Sequence, residues 1–212
     1  PGYDRGETTQ RIAAGVFDKV KDYDYGIQFA SFYLPGDFIP HVRMMDTGRQ
    51  NTSLAGLFGL PYVVVRRPKP IDTTTLNYNW QIWDTSAFSL YTTETDFIDE
   101  VSARQAVAAV LRFLTRMGIL KYNSHSGYIS TVIEEEELTS VRTAAGGIYR
   151  RLCRPGDEVR MGTPLAEIVH PYEGNVISTV LSPTEGIVFF THKKPLATEN
   201  EVICKIIRRL HQ

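Results

Sequence analysis

The last third of the chain constrains the fold most strongly. Between residues 146 and 207, short apolar runs alternate with turn-forming stretches such as Pro155-Gly156-Asp157 and Ser182-Pro183-Thr184-Glu185-Gly186. Strand-like runs that are separated by such turns at close intervals are typical of a small antiparallel β domain. In the stretch that follows Asp157, Gly162 supplies a backbone angle that other residues resist, as a second tight turn requires. We therefore expect an all-β domain at the end of the chain.

This turn-rich pattern resembles the barrel-sandwich fold of biotinyl and lipoyl carrier domains. Those carriers expose a modified lysine at the tip of a hairpin. The matching segment here, residues 167–177, reads Glu-Ile-Val-His-Pro-Tyr-Glu-Gly-Asn-Val-Ile and contains no lysine. The resemblance therefore predicts a carrier-like barrel that serves as an accessory domain and not as a swinging arm.

Composition and charge exclude several classes of protein. The formal net charge is −1, and the basic clusters at residues 66–69 and 208–209 are short and isolated, so we expect no nucleic-acid partner. No apolar stretch is long enough to span a bilayer, and no charged-then-apolar signal pattern is present. The two cysteines, Cys153 and Cys204, form no C-x-x-C pair and are expected to be small core residues in a reducing, cytoplasmic setting.

The first 120 residues alternate between helical and strand-like patterns. We predict helices over 7–21, 51–59, 76–83 and 98–117, and strands over 25–33, 62–66 and 87–93. The first helix should bury Ile12, Val16 and Val20, and the last should bury a stripe of Val107, Val110, Leu111, Leu114 and Met117. Such alternation predicts an α/β layer with a parallel or mixed sheet.

These patterns predict two domains. An α/β domain spans residues 1–120, a linker spans 121–127, and the β domain spans 128–212, with Glu134–Glu137 as a solvated turn. The chain opens on the turn-forming Pro1-Gly2-Tyr3-Asp4, so we expect the α/β domain to be incomplete at its N-terminus. A sheet that lacks strands would expose an edge, and this predicts a homo-oligomer.

Several runs of residues resemble the succinylglutamate desuccinylase/aspartoacylase family of zinc-dependent amidohydrolases, which have a carboxypeptidase-like fold. They are Pro1-Gly2-Tyr3 with Gly6-Glu7-Thr8-Thr9-Gln10-Arg11-Ile12-Ala13, then Pro40-His41-Val42-Arg43, Tyr91-Thr92-Thr93-Glu94 and the Gly-Asp-x-Val-x-x-Gly run of the β domain. The resemblance covers nearly the whole chain, and the Pro-His-Val-Arg and Gly-Asp runs are its more specific parts. It implies hydrolysis of an N-acyl amino acid or a similar small carboxylate.

The resemblance also implies a zinc site that this sequence does not complete. The family binds zinc with a His and a Glu of an early H-x-x-E loop and a later His in a strand. No H-x-x-E occurs here, and the matching strand has Gln28 and Ala30 in the positions of the family's Asp and His. A catalytic zinc needs three protein ligands and an open position. We therefore expect no zinc in the α/β domain of this chain.

The resemblance assigns roles to a few residues. Glu94 matches the general base, although it could instead cap the following helix. His41 and Arg43 would face the same cleft at the carboxyl ends of the strands, with Arg43 gripping a substrate carboxylate, or Arg43 could form a loop ion pair beside a partly buried His41. His192 matches a loop near the active-site mouth and is a further substrate-contact candidate. Two functions stay open: a metal-dependent deacylase, or a non-catalytic relative that binds a ligand or supports assembly.

Overall fold

A computed structural model describes residues 2–92, 98–123 and 125–209. These residues fall into two compact units. The first, here called the α/β unit, combines the described parts of residues 2–30, 40–92 and 100–135. The second, here called the β unit, combines residues 31–39, 98–99 and 136–209.

The α/β unit supplies all α-helices of the described residues. They are α1 (Thr8–Val20), α2 (Thr52–Gly56), α3 (Leu76–Ile82) and α4 (Glu100–Arg116), and none of them is long and apolar enough to cross a lipid bilayer. In chain order the strands of both units are β1 (Tyr25–Phe29), β2 (Gly36–Phe38), β3 (His41–Met45), β4 (Tyr62–Arg66), β5 (Ser86–Tyr91), β6 (Thr131–Glu134), β7 (Leu138–Arg142), β8 (Gly147–Arg151), β9 (Glu158–Val159), β10 (Pro164–Val169), β11 (Val176–Leu181), β12 (Gly186–His192), β13 (Leu196–Ala197) and β14 (Val202–Arg208).

The α/β unit is built on one mixed sheet with the strand order β1-β5-β3-β4-β6. Strands β3, β4 and β6 run parallel to one another, β1 runs parallel to β5, and β3 meets β5 antiparallel. The predicted α/β class with a mixed sheet is therefore confirmed. The reversal between β3 and β5 places the first residue of β3, His41, opposite the last residue of β5, Tyr91.

Helix α4 packs on this sheet through smaller residues than the sequence pattern suggested. Its buried apolar positions are Ala106, Ala109 and Phe113, and the last two belong to a core that also includes residues of the strands. From the predicted stripe, Val110, Leu114 and Met117 pack against the same core, whereas Val107 is 57% exposed. The predicted stripe was therefore wrong at Val107, whereas Ala109 and Phe113, outside that stripe, are buried in the core.

Helix α1 is also rotated relative to the prediction. Phe17 is its buried residue, packed with Trp80 and Ala87 and meeting the Trp83 ring edge-on at 5.6 Å between centroids. Ile12 and Val16, which were predicted to face the core, are 60% and 50% exposed. Val20, the third residue of the predicted face, packs against the cluster of Phe17, Trp80 and Ala87, so the prediction was wrong at Ile12 and Val16 only.

The β unit consists of two antiparallel sheets around one core. Their strand orders are β11-β10-β8-β13 and β2-β12-β14-β7, and β9 pairs with β12. Both sheets contribute to a buried apolar cluster that includes Leu165, Ile168, Val188, Ile203 and Ile206. The all-β character of this part of the chain agrees with the prediction, whereas its likeness to biotinyl and lipoyl domains stays a prediction.

The unit boundaries differ from the predicted linker at 121–127. Strand β6 lies after that segment, yet it pairs with β4 in the sheet of the α/β unit. Strand β2 comes from the first 40 residues, yet it pairs with β12 in the β unit. Both differences arise from pairing between segments far apart in sequence, which local turn signals do not encode.

Candidate functional site

A row of polar side chains crosses three neighbouring strands of the mixed sheet. Register places Gln28 of β1 beside Ser89 of β5, and Ser89 beside Arg43 of β3. Side chains at paired positions point to the same face of a sheet, so these three share one face. Ser89 and Arg43 are 3% and 5% exposed. Buried polar groups on a strand must find partners, and those partners define the site.

His41 lies on the same face, two residues before Arg43. Its ring stacks on that of Tyr91, with 4.9 Å between centroids and 3° between planes. The Arg43 guanidinium lies 5.7 Å from the centre of the Tyr91 ring, and its Nη1 is 3.5 Å from the Tyr91 hydroxyl oxygen. Tyr91 therefore contacts both of the site residues that were predicted on β3, His41 and Arg43.

Arg43 also belongs to a chain of alternating charges. Its Nη2 donates to Glu135 Oε2 at 2.6 Å, and Arg66 Nε lies 3.4 Å from the same oxygen. Arg66 in turn pairs with Asp72, with 3.1 Å between Nη2 and Oδ2. Two guanidinium groups thus face two carboxylates, so the formal charges of this set balance. We call these four residues, Arg43, Glu135, Arg66 and Asp72, the charge network.

The charge network keeps Arg43 protonated. Burial alone would lower the pKa of this guanidinium, but Glu135 and Tyr91 more than offset that effect, so the pKa lies above its ordinary value. Arg43 is therefore a permanent cation in a site with little access to water. A cation of this kind can hold an anionic group only in competition with Glu135.

The other end of the polar row contains an unsatisfied acceptor. Ser89 Oγ accepts hydrogen bonds from Gln28 Nε2 at 2.7 Å and from Asn77 Nδ2 at 3.0 Å. Asn77 is 2% exposed, and its carboxamide oxygen has no hydrogen-bond partner among the described residues. A buried amide oxygen without a partner costs free energy, so a donor group of a ligand or a water molecule would be stabilised there.

The structure describes some of the predicted site residues but not all of them. His41 and Arg43 lie on one face of the sheet, but Glu94 lies outside the described residues, so the shared cleft of all three stays a prediction. The predicted location at the carboxyl ends of the strands needs a correction. His41 is at the amino end of β3, and it meets the carboxyl end of β5 because those two strands are antiparallel.

His192, the remaining predicted contact residue, is buried in the β unit with an exposed fraction of 1%. Its Nε2 lies 3.1 Å from the Leu196 carbonyl oxygen, and its Nδ1 lies 3.7 Å from Glu201 Oε1. Its ring also meets Tyr149 edge-on at 5.1 Å between centroids. These contacts give His192 a structural role, and its role in substrate contact stays a prediction.

The described residues do not fit a zinc ion. None of the groups of His, Cys, Asp and Glu within them brings three potential ligands together. The main chain of Ala30, just after β1, continues the pairing of the sheet, since its amide donates to the Leu90 carbonyl at 3.0 Å. A methyl side chain in that place offers no lone pair to a metal. We therefore assign no chemical step to a metal ion held by these residues.

A groove of about 610 Å³ on α4 contains none of these residues. It is lined by Ala103, Arg104, Val107, Ala108, Leu111, Arg112, Tyr122, Asn123 and His125. The polar row and the charge network are therefore separate from this apolar surface.

Several residues of the site were not selected from the sequence. Glu135 was interpreted as part of a solvated turn, but its side chain is only 16% exposed between two arginines. Arg66 was interpreted as part of a short, isolated basic cluster, and its side chain is 13% exposed. No local sequence pattern indicated that Asp72, Asn77 or Ser89 would belong to the site. Only the polar residue Arg66 at the end of an otherwise apolar strand could have indicated a buried charge.

Comparison with known proteins supports the fold resemblance. No family model matches the sequence, and no curated protein matches it. Among solved structures, a succinylglutamate desuccinylase/aspartoacylase from Rhodobacter sphaeroides is similar, with a TM-score of 0.77 and 18% identity. That match covers 100% of this chain and 67% of the other.

Two structures of the ectoine utilization protein EutE (DoeB) from Ruegeria pomeroyi are similar as well. The apo structure has a TM-score of 0.80 and 19% identity, and covers 99% of this chain and 68% of that one. The product-bound structure has a TM-score of 0.80 and 18% identity, with coverages of 97% and 65%. This chain thus spans about two thirds of the length of these structures and has their fold over nearly all of its residues.

Proposed function

We propose that this chain belongs to a deacylase-type hydrolase that acts on a small N-acyl amino acid. The observation that carries the proposal is the buried polar face formed by His41, Arg43, Tyr91 and Ser89 in a fold shared with desuccinylase/aspartoacylase structures. A product-bound structure among those neighbours supports a small-molecule ligand. This chain spans about two thirds of the length of those structures, so hydrolysis is part of the proposal.

In this proposal Arg43 binds a carboxylate of the substrate. Glu135 already lies 3.4 Å from Arg66 Nε, so it can shift its hydrogen bonding toward Arg66 and leave Arg43 Nη2 for the substrate. A substrate carboxylate would add one negative charge to the balanced charge network. His41, whose ring stacks on Tyr91 beside Arg43, would lie close to that carboxylate.

The remaining polar groups would bind the substrate amide and transfer a proton. The unpartnered oxygen of Asn77 would accept a hydrogen bond from the substrate amide N–H. Glu94 would accept a proton from the attacking water and return it to the leaving amine, as the resemblance implies. The residues that the structure describes do not supply a metal site.

A second candidate is a non-catalytic relative that binds the same class of ligand. Ala30 in place of a metal-binding histidine favours it, and so does the engagement of Arg43 by Glu135. A protein of this kind would keep the binding face and lack turnover.

Calorimetric titration with N-succinylglutamate and N-acetylaspartate tests the binding step. We expect saturable binding of one of them, weakened at least about tenfold by Arg43→Met, since charge-assisted hydrogen bonds of this type contribute about 1.5–3 kcal/mol. Arg67→Met is the matched control, because Arg67 is exposed one residue after β4. Absence of binding to either compound would contradict both candidates.

Release of free amine from the same compounds separates the two candidates. We expect slow release that is abolished by Glu94→Gln while binding is kept. Binding without any amine release, even when zinc is added, would reject the deacylase in favour of the non-catalytic relative.

A further inference from the structure

The groove on helix α4 has the size of a small-molecule site. Its volume of about 610 Å³ lies within the range of about 300–1,000 Å³ that is typical of such sites. Four apolar residues line it, and their spacing places them on one face of the helix: Ala103, Val107, Ala108 and Leu111. Val107 is 57% exposed there. The groove therefore offers an apolar surface that a ligand would cover.

Arg112 lines the same groove with a guanidinium group that is only partly used. The residue is 8% exposed, and its Nε donates to the Phe58 carbonyl oxygen at 2.9 Å. This is the only hydrogen bond of Arg112 among the described residues, so its Nη1 and Nη2 have no partner there. A largely buried cation without a counter-charge is costly, and an anionic group of a ligand would reduce that cost.

The main chain holds the Arg112 side chain at its Nε. A Cβ atom added at Gly59 would lie 2.8 Å from this nitrogen, and one added at Gly127 would lie 2.9 Å from it. Both glycines also have positive φ angles, of 64° and 68°, which other residues rarely adopt. The guanidinium is thus fixed on its Nε side before any ligand binds, while its two terminal nitrogens stay available.

The described residues that line the groove include no carboxylate. Arg104, the other cation of the lining, pairs with Glu100 at 3.1 Å, and both of those side chains are exposed. Arg116, one turn after Arg112, donates to the Leu57 carbonyl oxygen at 2.8 Å. Burial lowers the pKa of Arg112, and the nearby charge of Arg116 adds to this effect. The electrostatics of the groove therefore favour an anion.

We propose that this groove binds a small organic acid, whose carboxylate pairs with Nη1 and Nη2 of Arg112 and whose apolar body covers Val107 and Leu111. The planar fork of an arginine matches the two oxygens of a carboxylate. The groove contains none of the residues of the polar row or the charge network. This binding site is thus independent of the proposed deacylase function.

Calorimetric titration of the purified chain with octanoate tests the proposal, with octanamide as the matched neutral probe. We expect saturable binding of one octanoate per chain. Its affinity should be at least about tenfold higher than that of octanamide, because charge-assisted hydrogen bonds are stronger than neutral ones. Equal affinities for the two compounds, or no saturable binding of octanoate, would overturn the proposal.

Two variants test the two parts of the site. Arg112→Met removes the cation and should weaken octanoate binding at least about tenfold. Val107→Asp tests the site without removing a buried residue, since it places a negative charge on the exposed surface of the groove and should weaken octanoate binding several-fold. Val16→Asp, on the exposed face of α1, is the matched control with unchanged affinity. An affinity that Val107→Asp leaves unchanged would overturn the proposal, even if Arg112→Met does not fold.

Amide NMR signals of the isotope-labelled chain locate the bound octanoate. We expect shifts along α4 and at Tyr122 and Asn123. Shifts confined to β3 and β5 would place octanoate on the face that contains Arg43, which would overturn this proposal and leave the proposed function standing. A groove that a second copy of the chain covers would give no octanoate binding and a shift toward the monomer on Val107→Asp, and that result would also overturn the proposal.

Discussion

At the residue scale, the ion pair with Glu135 limits how Arg43 can bind a substrate carboxylate. The carboxylate of Glu135 lies between two guanidinium groups, and the three side chains are mostly shielded from water. Bringing charges out of water is costly, so such groups are stable only as a complete set. A substrate carboxylate that reaches Arg43 must therefore compete with a partner that the fold itself provides.

We predict that Glu135→Ala lowers the free energy of unfolding by about 3 kcal/mol, the typical cost of removing one partner from a buried ion pair. Urea unfolding monitored by fluorescence measures this change. The neighbouring Glu136 is exposed, so Glu136→Ala is a matched control with an expected effect within about 0.5 kcal/mol. Equal effects of the two variants would show that Glu135 is solvated, as the sequence pattern first indicated.

Tyr149 gives the β unit a sensitivity to alkaline pH. Burial raises the pKa of its phenol well above the ordinary value, and the neighbouring cysteines add to the effect. The folded state therefore keeps a proton that the unfolded chain releases near pH 10, so this contribution to stability is present below that pH and is lost as pH rises above it.

We predict that Tyr149→Phe reduces this alkaline loss by about 1 kcal/mol at about pH 10.5. Urea unfolding at a series of pH values between neutral and alkaline measures it. Tyr128 is 61% exposed, and Tyr128→Phe should leave the profile unchanged. If Tyr149→Phe follows the wild-type profile, the phenol does not titrate differently in the two states.

At the element scale, strands buried on both faces were easier to predict than the orientation of helices. The run Tyr62–Arg66 is apolar and β-branched and forms β4 with the predicted bounds. Helix α1 also has nearly the predicted bounds, but Ile12 and Val16 of its predicted face are exposed. A period of three to four residues locates a helix, but it did not show that Phe17 is buried and that Ile12 and Val16 are exposed.

We predict that Phe17→Ala lowers the free energy of unfolding by about 3 kcal/mol, since it removes a buried aromatic side chain packed on Trp80 and Trp83. Val16→Ala, one residue earlier and 50% exposed, should change it by less than about 0.5 kcal/mol. Chemical unfolding of both variants of this chain measures the difference. A larger decrease in the free energy of unfolding for Val16→Ala than for Phe17→Ala would show that the predicted face of α1 is the buried one.

At the scale of the whole molecule, the sequence predicted the two kinds of structure but not how the chain is divided between them. Residues 31–39 belong to the β unit because β2 pairs with β12, a strand about 150 residues later. Glu135 joins the charge network because β6 extends the sheet of the α/β unit. Pairing partners at such distances are selected by the complete fold, and no local pattern specifies them. The same reason explains why His41 and Arg43 were found through a motif, whereas Asn77 and Asp72 required the structure.

The mixed sheet also bears on assembly. Strand β1 is at its edge, and among the described residues only β5 pairs with it. Phe29, the last residue of β1, is 64% exposed, and Tyr25, the first, is 37% exposed. An exposed edge with apolar residues favours pairing with another chain, since burial of apolar surface contributes about 25 cal/mol per Å².

We predict that the purified chain self-associates through β1 at micromolar concentration, and that Phe29→Lys shifts it toward the monomer. A lysine on an edge strand opposes pairing because its charge would have to be buried in the contact. Sedimentation velocity at several concentrations measures the distribution of species. Val16→Lys introduces the same charge on the exposed face of α1 and should leave the association unchanged. A wild-type chain that sediments as a monomer and melts in one cooperative transition would show that β1 needs no further strand to complete the sheet.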